Sequence, residues 1–148
     1  LFVAAVAVAA ADTWASEFGC LDPRVRLIRN GMLVPPGTNG GTSRLGQKAA
    51  LGGAALVSIV ALVVGWVPAT GNINEAGVFS AMASGDWAGG MLLALITTCI
   101  GYIGCQIDSI LGAAFENRGL MTKGGVNAAS IAIGVLLCGL IILSFPLI

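Results

Sequence analysis

Nineteen consecutive residues, Ala49 to Val67, carry no charged side chain, and that run constrains the fold more than any other feature. As a helix it covers about 28 Å, close to the hydrocarbon thickness of a bilayer. Two further runs follow: Trp87 to about Gly112, apolar until Asp108, and Gly125 to Ile148. Leu1 to Ala11 is also uncharged but too short to cross, so it reads as part of a span over about residues 1–14. The expected architecture is all-α, a polytopic transmembrane helix bundle in one membrane domain, with full spans over about 49–67, 87–112 and 125–148. Composition agrees, at 57% hydrophobic and 9% charged residues, where a soluble domain carries roughly 25% charged. Leu1 is not an initiator Met and the first span is short, so the chain reads as the later part of a longer protein. The opening run lacks the basic start of a signal peptide.

Charge gives the orientation. The connector before the first full span holds Arg24, Arg26, Arg29, Arg44 and Lys48; the next, Pro68 to Asp86, holds only Glu75 and Asp86; the third holds Arg118 and Lys123. The positive-inside rule places the first and third connectors in the cytoplasm, or in the stroma or matrix of an organelle. Trp14, Trp66 and Trp87 fall near span ends, where an aromatic belt is expected. Seven basic and seven acidic residues leave no positive excess for nucleic acid. With no histidine, His-based catalysis and metal ligation are excluded from this stretch. Cys20, Cys99, Cys105 and Cys138 form no CxxC pair.

That orientation brings four polar clusters to one membrane face: Asp12 with Thr13, Ser16 and Glu17; the loop Val34 to Ser43; Asp108; and Asn127 with Ser130. The loop, Val34-Pro35-Pro36-Gly37-Thr38-Asn39-Gly40-Gly41-Thr42-Ser43, combines two helix-blocking prolines, three glycines and short polar side chains. It is either a reverse turn between helices or a backbone cradle for an anion. Gly41 to Lys48 imitates a Walker A motif, but Gln47 intervenes before the lysine and Ala49 stands where a Ser or Thr is needed.

Asp108 is the sharpest single signal, because an unpaired carboxylate at mid-bilayer costs about 2.5 to 3.5 kcal/mol and usually faces a cavity, a partner or an ion. Gly101, Gly104 and Gly112 share its helix face at spacings that admit close approach. Asp12 has the same standing. Glu17 lies about 140° around an ideal helix from Asp12 and ranks below it. Asp12 and Asp108 suit Mg²⁺, which takes oxygen ligands and is commonly completed by substrate phosphates and water. With loop N–H groups and the cations Arg44 and Lys48, they make up the parts of a phosphoryl-transfer site.

The segments Ala11-Asp12-Thr13-Trp14-Ala15-Ser16-Glu17-Phe18-Gly19, Val34 to Ser43, Ile107-Asp108-Ser109-Ile110-Leu111-Gly112-Ala113 and Val126-Asn127 together resemble the successive signatures of the integral-membrane phytyl-phosphate kinase family, which includes the transmembrane protein 19 group. The resemblance runs along essentially the whole chain but covers only the later part of the family pattern. It implies transfer of a phosphate from a nucleoside triphosphate, CTP among the donors, to an isoprenoid monophosphate in prenyl-lipid synthesis. Asp12 and Asp108 are then the expected catalytic and metal-binding residues, with Glu17 as a lower-ranked metal ligand. Thr38, Asn39, Gly40, Gly41, Ser43, Arg44, Lys48, Ser109 and Asn127 are the expected phosphate or substrate contacts. One departure stands out: Lys123, Gly124 and Gly125 occupy positions where the family commonly has an acidic residue and two asparagines. Two other activities fit the same residues, a cytidylyltransferase acting on a lipid phosphate and a transporter with Asp108 as its ion site.

Overall fold

The computed structural model describes residues 1–66 and 87–144. The connector 68–86, with Glu75 and Asp86, and the ends of two predicted spans, Val67 and 145–148, lie outside the described residues. Among the described residues four long helices form the bundle: α1 (Phe2–Gly19), α2 (Arg44–Trp66), α3 (Trp87–Ala114) and α4 (Lys123–Ser144). Three of them, α2 to α4, are long and apolar enough to span a bilayer, and only 22–28% of each hydrophobic window is buried within the protein. Side chains such as Leu51, Ile59, Leu95 and Leu136 face outward, an arrangement that lipid tolerates and water does not.

The first helix runs unbroken to Gly19, past the predicted limit near residue 14, and packs against the other three, as α3 does. Its buried stripe is Ala4, Ala7, Val8 and Ala11, the i, i+3, i+4, i+7 pattern of one helix face. Small residues set the packing distances. A methyl group on Gly53 of α2 would meet the Ala10 carbonyl at 2.8 Å, and one on Gly46 would meet the Gly19 Cα at 3.2 Å. Val8 is wedged between α3 and α4: a Cβ on Gly104 would fall 2.5 Å from its Cγ2, and one on Gly134 would fall 2.7 Å from the same atom. Gly101 packs on Ala7 and Ala54. The glycine face expected on α3 is therefore buried against α1 and α2.

Trp14 is fixed by contacts within the bundle. It sits in mid-helix, edge-on to Phe18 with ring centroids 5.7 Å apart, and covers Gly52 and Gly53 of α2. The two glycines leave a flat surface that an indole can cover, and this packing decides its place.

The polar connector also contains structure that periodicity does not predict. β1 (Val25–Leu27) pairs antiparallel with β2 (Leu33–Val34) on one side and β3 (Gly41–Thr42) on the other. The register sets Val25 opposite Val34 and Leu27 opposite Gly41. Arg26 donates from Nη1 to the Gly31 carbonyl at 2.8 Å, so this basic residue braces the β1–β2 turn. Strands of two and three residues are too short to show an alternating pattern, and β1 is held by non-local pairing on both edges.

The start of α2 is tied down by two side chains. Ser43 Oγ accepts from the Gly46 amide at 3.0 Å, the geometry of an N-cap, and donates to the Gly19 carbonyl at 3.2 Å. Asp22 accepts from the Arg24 amide at 2.9 Å and the Leu45 amide at 3.4 Å. The Arg24 amide, aided by that of Leu45 and by the Arg24 charge, holds the Asp22 carboxyl below its ordinary range.

Candidate functional site

Helix direction alternates along the chain, so the C-terminal ends of α1 and α3 and the N-terminal ends of α2 and α4 meet on one face. There the chain encloses a pocket of about 300 Å³, open to the outside and floored by Asp12 and Asp108. That volume is at the lower end of ligand sites, which span roughly 300–1,000 Å³. The two carboxyls come from different helices and face each other within side-chain hydrogen-bonding reach.

Asp108 is held from α4. Ser130, fully buried, lies with Oγ 3.0 Å from Asp108 Oδ1 and 2.9 Å from the Asn127 carbonyl. With its amide turned so that nitrogen faces acceptors, Asn127 donates to Asp108 Oδ1 at 3.2 Å and to the Lys123 carbonyl at 3.1 Å. Oδ1 is thus taken up by α4, and Oδ2 is the oxygen these two donors leave to the pocket.

The Gly-rich loop forms the opposite wall and is docked on the end of α3. Gly40 has φ +74°, and a Cβ there would collide with Ala113 and lie 2.9 Å from the Ser109 carbonyl. Asn117 Nδ2 donates to the Asn39 carbonyl at 3.3 Å. Within the loop, Thr38 Oγ1 donates to the Pro35 carbonyl at 2.7 Å and the Gly41 amide donates to the Thr38 carbonyl at 2.8 Å. The reverse-turn reading is realised: the segment is a tight turn, and it lines the pocket. The amides of Asn39 and Gly40 have no intramolecular acceptor among the described residues.

The expected residues separate into groups. Asp12, Asp108, Thr38, Asn39, Gly40 and Gly41 line the pocket, as do Ser43 and Ser109. Glu17 also lines the pocket but is exposed, on a different face of the unbroken α1 from Asp12. Asn127 does not line the pocket and, with its amide turned, hydrogen-bonds Asp108 instead. The hydroxyl protons of Ser43 and Thr38 are already donated within the protein, so both residues hold the wall in shape. Arg44 and Lys48 are exposed and do not line the pocket; the rotation of α2 directs Ser43, Gly46 and Gln47 toward it instead.

Sequence reasoning misses three residues. Lys123, which sequence explains as an orientation charge, lines the pocket and is close enough to act electrostatically on both aspartates. Ser130 stands out in sequence as polar but without a role. Gln47 lines the pocket while accepting from the Tyr102 hydroxyl at 2.6 Å and donating to Gln106 Oε1 at 3.0 Å. Polar residues inside apolar runs are the available signal for Gln106 and Tyr102.

No group of three or more His, Cys, Asp or Glu side chains converges among the described residues. Two facing carboxylates with an open side fit Mg²⁺ held jointly by protein, substrate phosphates and water, and do not amount to an all-protein cage.

The sequence pattern of DUF92, described as an integral membrane protein family, matches residues 1–144. The chain belongs to this family. It is 36% identical over 110 residues to Protein PGR of Arabidopsis thaliana, an alignment covering 73% of this chain and 34% of that protein. It is 28% identical over 134 residues to the uncharacterized membrane protein MJ0933 of Methanocaldococcus jannaschii, covering 90% of this chain and 47% of the relative. The chain thus spans between a third and a half of these relatives. No solved structure matches it.

Proposed function

We propose that this chain forms the catalytic membrane core of an isoprenoid-phosphate kinase, which moves the terminal phosphate of a nucleoside triphosphate such as CTP to a prenyl monophosphate. The observation that carries this reading is the pairing of Asp12 and Asp108 from two helices opposite a Gly-rich loop whose Asn39 and Gly40 amides have no acceptor among the described residues. The resemblance of four segments to the phytyl-phosphate kinases supplies the substrate class.

In this reading the prenyl tail lies among lipid-exposed helix faces, its phosphate enters the pocket at the interface, and the nucleotide arrives from the cytoplasmic side. Asp12 and Asp108 would hold Mg²⁺, which would supply positive charge to offset that of the phosphate oxygens. Ser130 and Asn127 keep Asp108 oriented. The Asn39 and Gly40 amides orient a phosphate. An oxygen of the lipid monophosphate attacks the terminal phosphorus, the bond to the bridging oxygen breaks, and the nucleoside diphosphate leaves. That oxygen is already ionised, so no strong general base is needed.

The test is label transfer by purified protein in lipid nanodiscs with phytyl or geranylgeranyl monophosphate. Label from the γ-phosphate of CTP must appear in the lipid. Appearance of α-phosphate label with pyrophosphate release would instead identify a cytidylyltransferase, and solute movement without nucleotide would identify a transporter.

A further inference from the structure

We infer that Lys123 is the cationic ligand of the pocket and binds a phosphate oxygen of the substrate directly. The pocket lining contains four carboxylates, Asp12, Glu17, Asp108 and Glu116, and one basic side chain, Lys123. Arg44 and Lys48, the cations that sequence spacing favours, are both outside it. A polyphosphate entering this wall of carboxylates meets repulsion that a metal on two of them relieves only in part, and the ammonium of Lys123 is the fixed positive charge available for the remainder.

The geometry fits a ligand better than a structural counter-ion. Lys123 is exposed, and its side chain makes no ion pair or hydrogen bond among the described residues. It acts electrostatically on Asp12 and Asp108 without closing a salt bridge to either. It is also the first residue of α4, where the helix dipole disfavours a cation unless an anion approaches.

The inference takes its ligand class from the phosphoryl-transfer reading, but it is tested by binding. Affinity for pyrophosphate in the presence of Mg²⁺ is measured by calorimetry on the whole protein in nanodiscs, for wild type, Lys123→Met, Lys123→Arg and the charge control Arg29→Met. Thermal unfolding of each variant is recorded alongside. Expected is at least a tenfold loss for Lys123→Met, partial recovery in Lys123→Arg, and no change in Arg29→Met. Equal affinity in wild type and Lys123→Met would overturn the inference, as would absence of pyrophosphate binding by the wild type. A counter-ion role predicts a different pattern, tighter Mg²⁺ binding in Lys123→Met with pyrophosphate affinity unchanged. Should the protein bind pyrophosphate through Lys123 yet transfer no label to lipid, the kinase reading fails and the binding role of Lys123 stands.

Discussion

Ser130 Oγ lies 3.0 Å from Asp108 Oδ1, a contact between two helices that fixes one oxygen of a carboxylate and leaves the other to the pocket. Ser130 is fully buried. Replacing it with Ala is expected to lower stability by about 1 kcal/mol, the usual net worth of such a bond. Loss of an orienting partner should also reduce Mg²⁺ affinity or turnover by about 10- to 100-fold. Thermal unfolding and Mg²⁺ titration of Ser130→Ala check the two effects separately.

Asp12→Asn and Asp108→Asn preserve side-chain size while removing charge. Each is expected to reduce phosphate transfer roughly 100-fold or more, since charge stabilisation dominates this kind of chemistry. Unfolding temperatures should change little or rise, because a carboxylate beside another carboxylate is replaced by a neutral amide. Retained turnover in both variants would remove the aspartates from the mechanism.

Gly40 and Gly31 separate two effects of a methyl group. Both have positive φ, +74° and +70°, but a Cβ added at Gly31 would meet nothing within 4 Å, while one at Gly40 would abut Ala113 and Ser109. Gly31→Ala should cost only the backbone term, about 1–2 kcal/mol. Gly40→Ala adds a collision of about 1–3 kcal/mol and lifts the loop from α3. Limited proteolysis of the loop should therefore accelerate much more in Gly40→Ala.

The Val8 wedge predicts a compensating pair. Gly104→Ala places a methyl 2.5 Å from Val8 Cγ2 and should destabilise the bundle by about 1–3 kcal/mol. Trimming the wedge in the double variant Val8→Ala, Gly104→Ala should recover part of that loss. Unfolding of the single and double variants in the same detergent measures the coupling.

Asp22 carries a pH dependence. Its folded-state carboxyl is held below the ordinary value, first by the Arg24 amide. Its contribution is therefore complete above the unfolded value of about 3.9 and is lost as pH falls through the lower folded value. Hydrogen exchange over residues 22–46 should quicken on acidification through that range, and Asp22→Asn should show the faster exchange already at neutral pH with a flatter pH response.

Part of the site was legible because its signals are local. The charge-free run at Ala49, the glycine spacing ahead of Asp108 and the Pro-Gly loop can each be read from a short window, and connector order alone brings Asp12, the loop, Asp108 and Asn127 to one face. Ser43 and Thr38 were harder: their residue types suit a phosphate, but the structure spends their protons on the Gly19 and Pro35 carbonyls. Lys123 was hidden for the converse reason. A basic residue in a short connector is already explained by membrane orientation, and its departure from a family signature marks the position without giving the lysine a role.

By itself the sequence determined that the chain is a membrane helix bundle and which helix ends share a face, since hydrophobic length and chain alternation depend on neither rotation nor depth. Only the tertiary structure decided that α1 packs against all three other helices, that Asp12 meets Asp108, and that Lys123 rather than Arg44 or Lys48 lines the pocket. Those outcomes turn on how each helix is rotated about its axis. Rotation is set by contacts such as Gly53 on Ala10 and Gly104 on Val8, between residues far apart in the chain.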